Sequence, residues 1–211
     1  MVALSGTADA AVCNGINGLA GSCTTSGSIT IMAGGLTVGA PGSLTWSGAV
    51  TGAAQTLYDT TPADEVLYAS DLRGLLSTNA NSGWKITAAG TTFTGGTTAA
   101  TLADTPGGQV LAFGGGASAA TSNAVPTAAC YITLTCTNAT TNVSGYPLFV
   151  PTGTTPTPTK IYNAAAGTGL GIIQIGGSAA AHPAVWQVNL PPVVTADTYT
   201  STITVTIAAG P

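Results

Sequence analysis

The chain has 211 residues, enough for one large β domain or two small ones. Only 5% of them are charged, against roughly 25% in ordinary soluble domains, and three cations face seven acids for a net charge of −4. Arg73, Lys85 and Lys160 alone cannot neutralise a phosphate backbone or hold an anionic bilayer, which excludes nucleic-acid binding, and no apolar run reaches the ~18 residues of a membrane helix.

Gly (29) and Pro (12) are numerous, yet 45% of the chain is hydrophobic and its apolar residues alternate, which argues for collapse rather than disorder. Residues 1–6 lack the basic region and long apolar core of a signal peptide, so an exported chain is expected to have lost its leader before this numbering begins. Ile29 and Ile31 open the strand pattern, followed by Leu36 and Val38, then Leu44 and Trp46. Val66-Leu67-Tyr68, Trp84-Lys85-Ile86, residues 109–113 and Tyr131-Ile132-Thr133-Leu134 come next, then residues 171–175 and 185–188. The last strand is the clearest: Tyr199, Ser201, Ile203, Val205 and Ile207 share one face, and Thr200, Thr202, Thr204 and Thr206 form the other. Helical periodicity is weak everywhere, with short candidates only at residues 63–70 and 117–122. Residues 147–159, rich in Pro and Thr, read as a long extended loop. Many short strands separated by turn residues predict an all-β fold: a two-sheet β-sandwich of Greek-key, Ig-like or jelly-roll type, with long Thr/Gly/Pro-rich loops. One secreted domain is expected over residues 1–211, with an extended N-terminal segment over about residues 1–25.

Four cysteines, Cys13, Cys23, Cys130 and Cys136, form two close pairs without CxxC spacing, and a single histidine does not complete a zinc site with them. Two disulfides in an oxidising compartment are the expectation. A straight strand through residues 130–136 would span about 20 Å, whereas a bridge needs Cα atoms within about 7 Å. Either the chain bends there or each cysteine reaches the N-terminal pair; two local bridges are favoured. Two sequons follow in a Thr- and Asn-rich stretch, at Asn138 and Asn142, and suggest an exposed loop and a glycoprotein.

Two patches resemble a known family. Residues 70–74 contain Asp71, Arg73 and Gly74, and a short insert leads to Gly83-Trp84-Lys85-Ile86-Thr87. This is similar to the first motif of WxL-type bacterial surface domains, where Asp-x-Arg-Gly precedes a Gly-Trp strand. The closing segment from Ala196 to Ile207 resembles that family's final Tyr-Thr-x-x-Ile strand, and residues 165–171 also fit. Val205 stands where the family carries a second tryptophan, and Lys85-Ile86 departs from a strict Trp-x-Leu. The resemblance implies a secreted β-sandwich at a Gram-positive-type cell surface, with cell-wall polysaccharide or peptidoglycan as the ligand class.

Catalytic machinery is not expected. His182 falls in an expected surface loop, and no nucleophile elbow, P-loop or dinucleotide fingerprint occurs in a suitable setting. Asp59, Asp64, Glu65 and Asp71 lack calcium-loop spacing and read as solvent-exposed. A carboxylate pair drawn from Asp64 or Glu65 with Asp104 or Asp197 would be needed for glycan chemistry, and nothing promotes it. Asp71 and Arg73 are expected to pair as a surface ion pair of little energetic weight, orienting the loop before Trp84. An isopeptide bond from Lys85 or Lys160 to an asparagine lacks its signature motifs. Trp46, Trp84 and Trp186 could line a carbohydrate platform with Tyr58, Tyr68 and Tyr199, but core positions suit them better, Trp84 first.

No enzyme activity, cofactor or metal is therefore expected. The near absence of charge leaves strand edges unguarded against self-association. The expected function is a non-enzymatic, extracellular structural subunit that assembles with copies of itself into a pilus-like surface filament by strand complementation. Residues 2–7 and the strand from Tyr199 to Ile207 are the donor candidates. The alternative is a monomeric cell-wall-binding or adhesion module of the WxL type.

Overall fold

A computed structural model of the chain describes residues 35–59, 65–73, 82–104, 109–116, 122–131, 136–177 and 179–211. By its contacts the chain divides into Met1–Ala33 and Gly34–Pro211, and every described residue belongs to the second unit. Cys13, Cys23, Asp64, Gly74 and the expected strand at Ile29 and Ile31 lie outside the described residues, as does the N-terminal donor candidate. So do most of the helical candidate at 117–122 and of the expected strand that begins at Tyr131.

The fold is all-β, with four antiparallel sheets packed into a β-sandwich. The first sheet has the order β1 (Leu36–Gly39), β3 (Leu67–Asp71), β11 (Gly171–Ile175), β8 (Ala128–Cys130). The second is β10 (Thr159–Ala164), β4 (Trp84–Gly90), β14 (Ile203–Ala209). The third is β2 (Gln55–Tyr58), β12 (Ala184–Leu190), β7 (Leu111–Gly115), β9 (Leu148–Val150). The fourth is β13 (Tyr199–Thr200), β5 (Phe93–Gly95), β6 (Thr101–Leu102).

The second and fourth sheets are two stretches of one interrupted ladder. The β14–β4 register ends at Ile203 opposite Gly90, and the β13–β5 register resumes at Thr200 opposite Thr94, one residue out of step. Thr91 fills the break: its Oγ1 accepts from Thr202 N–H at 2.9 Å and its carbonyl accepts from Ser201 Oγ at 2.6 Å. Hydroxyl side chains thus satisfy backbone groups that a bulge would leave unpaired. That interruption accounts for one of the two sheets beyond the two expected.

The core is common to all four sheets and centres on Trp84, Trp186, Tyr162 and Phe113, each at most 2% exposed. Burying such a ring stabilises the fold by roughly 2–3 kcal/mol. Phe113 meets Trp186 with ring centroids 4.8 Å apart, and Tyr162 stacks on Trp84 at 6.2 Å. The helical reading of residues 63–70 fails because Leu67, Ala69 and Asp71 alternate inward along β3 while Tyr68 and Ser70 remain half-buried. Leu44 and Trp46 are not in a strand, although both side chains pack on the core. Residues 147–159 are not wholly loop, since β9 lies within them and pairs with β7.

Candidate functional site

Three features are candidates for a functional role: the cluster around Trp84, the outer edge of β14, and two surface grooves.

Arg73 holds Asp71 with two parallel bonds, Nε to Oδ1 and Nη2 to Oδ2, both 2.9 Å, and Nη2 also donates to the Gly83 carbonyl at 3.0 Å. The pair therefore spans from the end of β3 to the residue before β4. Orientation of the segment before Trp84 is as expected, but the environment is not. The Asp71 side chain is 2% exposed and that of Arg73 30%, so this is a half-buried bidentate pair rather than a surface one. The hydrogen bonds from Arg73 to Asp71, and secondarily the carboxylate's charge, raise the Arg73 pKa further.

Trp84 is fully buried and donates its Nε1–H to the Gly169 carbonyl at 2.8 Å. Gly169 has φ +73°, and a Cβ there would sit 2.4 Å from Ala164 Cβ and 2.8 Å from Trp84 Nε1. Gly83 has φ +71°, with the Ala164 carbonyl only 2.3 Å from where its Cβ would be. On the other side of β4, Ala209 of β14 is the register partner of Trp84. Residues 71–73 and 83–87, residues 165–171 and residues 203–209 thus meet around one tryptophan. Tyr199 stands apart, at the fourth sheet, where its hydroxyl donates to the Thr195 carbonyl at 2.9 Å.

Among the described residues, β14 has a partner strand on one side only. Thr91 N–H donates to the Thr202 carbonyl and Gly210 N–H to the Gly83 carbonyl, so the even residues bond toward β4. The peptide groups of Ile203, Val205 and Ile207 therefore point away from β4, with no partner strand among the described residues. Their side chains are half-buried against the core, while Thr204 and Thr206 are exposed. Among the described residues β1 is likewise an edge strand, and it runs beside β14. Leu72 N–H donates to the Gly35 carbonyl, so Leu36 and Val38 aim their peptide groups outward by the same alternation. The closing strand is thus already held in its own sheet.

The described carboxylates are bonded to backbone, to hydroxyls or to Arg73. Asp59 and Glu65 are 6% and 2% exposed, contrary to the solvent exposure expected of them; Asp59 accepts from Thr45 N–H and Glu65 from Trp186 N–H at 2.9 Å. Burial, partly offset by that bond, lifts the Glu65 carboxyl to about 7. Asp104 accepts from Val110 and Thr152 N–H, tying the start of β7 to the end of β9. Asp197 gathers Thr98 Oγ1 and the N–H groups of Thr97, Thr98 and Thr198, which pull its carboxyl down to about 2. Among the described residues no three His, Cys, Asp or Glu side chains gather as a metal site. His182 is half-buried just before β12, where its N–H donates to Thr127 Oγ1 at 3.0 Å.

Cys130 and Cys136 are bridged with Cα atoms 6.0 Å apart. The two cysteines therefore do not lie along one straight strand, and β8 ends at Cys130. Asn138 and Asn142 are exposed on the irregular segment that follows, Asn138 accepting from Cys130 N–H at 2.9 Å. Lys85 lies opposite Asn163 in the β4–β10 ladder. Asn163 turns its carbonyl to Thr141 Oγ1 and Asn142 N–H, and no described carboxylate hydrogen-bonds it to serve as the proton shuttle an isopeptide bond requires.

An apolar cleft of about 440 Å³ is lined by Trp46, Phe93, Leu190 and Tyr199 among others. Its aromatic polar groups are used internally, since Trp46 Nε1–H donates to the Trp186 carbonyl at 3.0 Å. A second, shallower groove of about 490 Å³ is lined by hydroxyls, including Thr91, Thr94, Thr154, Thr200 and Thr202. The carbohydrate platform of three tryptophans does not form, because Trp84 and Trp186 are wholly inside.

Comparison with protein-family models, curated proteins and solved structures finds no match.

Sequence reasoning missed the Gly169 acceptor and the buried Glu65. The positive-φ glycine beside an aromatic partner has no signature in a single Gly-rich stretch. A glutamate two residues before an inward-facing Leu67 was the available signal for Glu65.

Proposed function

We propose that the chain is a non-enzymatic extracellular structural protein, a subunit that assembles with its own copies into a surface filament through its open strand edges. The observation that carries this reading is the β14 edge: outward-pointing peptide groups, half-covered Ile203, Val205 and Ile207, and no charged side chain from Ile203 to Ala209. An edge with those properties is a template for another strand, and neither lysine nor proline guards it. The disulfide fits an oxidising, extracellular setting. With the closing strand held in its own sheet, residues 2–7 remain the donor candidate. Negative-stain microscopy of protein isolated from its native source is expected to show filaments; a preparation of monomers alone would remove the reading.

The second reading, a monomeric wall-binding module of the WxL type, is favoured by the meeting of residues 71–73, 83–87, 165–171 and 203–209 around Trp84, and by the hydroxyl-lined groove. Sedimentation with isolated cell walls separates the two, because a pure filament subunit should stay in the supernatant.

A further inference from the structure

We infer that the open edge of β14 is a homotypic contact, pairing antiparallel with β14 of a second copy about a twofold axis through Val205. The inference rests on the reading of the chain as a self-assembling subunit and names the partner of one of its edges.

The strand reads Ile203-Thr204-Val205-Thr206-Ile207, the same in both directions. An antiparallel pair with Val205 opposite its own copy places Ile203 against Ile207 and Thr204 against Thr206, twice each. The odd residues carry the outward peptide groups, so Val205 would exchange both backbone hydrogen bonds with its copy, and Ile203 with Ile207. Isoleucine then meets isoleucine on the core-facing side, where these side chains are only half-covered. On the outer side threonine meets threonine, a favourable cross-strand pair that β14 already makes with β4, where Thr87 and Thr206 hydroxyls lie 2.7 Å apart.

Charge supports the same partner. A twofold contact sets every charge on the strand near its own copy, and residues 198–211 carry no charged side chain. Two seven-residue edges alone bury less than the ~1,000 Å² of a typical specific interface. β1 runs beside β14, so the contact would also cover exposed parts of Leu36 and Val38. A weak, concentration-dependent dimer follows. Because a twofold contact closes on itself, a filament needs a second, different contact elsewhere on the surface.

The test uses the full chain in sedimentation velocity from about 1 µM to about 500 µM, where a monomer–dimer equilibrium is expected. Thr204→Lys with Thr206→Lys sets lysine against lysine at both outer pairs and should weaken dimerisation at least about tenfold. Thr204→Lys with Thr206→Glu sets lysine against glutamate at both and should restore it. Both positions face solvent, so thermal melts report that the fold is kept. Thr204→Cys mixed with Thr206→Cys should give mixed disulfide dimers on mild oxidation, while either alone should not. Wild-type monomers at every concentration, undiminished dimers of the double-lysine variant, or equal cross-linking of Thr204→Cys alone would each overturn the inference. Dimers without filaments under the microscope keep this contact and remove the filament reading. Filaments that survive the double-lysine change keep that reading and remove this contact.

Discussion

Glu65 is buried with Asp59 nearby, and Trp186 N–H is its donor. Its carboxyl titrates near 7 in the folded chain against about 4.5 when unfolded. Between these values the folded state binds the additional proton, so this group's contribution to stability is full below about 4.5 and is lost as the pH climbs through 7. Glu65→Gln keeps an acceptor for Trp186 N–H without the charge. It should stabilise the protein at pH 8 by ~1–2 kcal/mol and leave pH 4 nearly unchanged, as thermal melts at the two values would read. Equal shifts at both would refute the assignment. Asp197 has the opposite sign, its contribution being present above about 3.8 and lost as the pH falls toward 2.

Elements were legible where β-branched and aromatic residues alternate with polar ones. β1, β3, β4, β7, β11 and β12 were all marked in this way. β2, β5, β6, β9 and β10 were not, because they are two to six residues long and lean on Gln, Thr, Gly, Pro-flanked or Lys positions with weak alternation. The Asp71–Arg73 pairing was legible from its spacing; its burial was not. The turn before β11 offers a sharp test of element-level geometry. Gly169→Ala would place a Cβ against Ala164 and the Trp84 indole in a left-handed conformation, and should cost about 3 kcal/mol or more in urea unfolding. Gly167→Ala has φ +83° but open space around it, so it should cost only about 1 kcal/mol. Similar losses at both sites would mean that backbone strain, rather than packing around Trp84, dominates there.

At the scale of the molecule, the all-β class could be read from the chain, while the pairing order could not. Strand identity is local information; which strands become neighbours depends on packing across the whole core. β14 illustrates the difference. Its alternation is the plainest in the sequence, yet nothing in that stretch indicates that β4 is its partner.

That partnership has a consequence in time. Thr206 meets Thr87 across 119 residues of chain. During synthesis β4 emerges long before β14, and the tryptophan at its start has one flank uncovered until the late strand arrives. Loop closure over such a separation is slow, so completion of this sheet is expected late in folding. A chain halted before residue 203 should therefore be cut readily by protease near β4, and one released whole should resist. Under the proposed extracellular reading, that order of events keeps this part of the chain unfinished, and so threadable, until β14 is made.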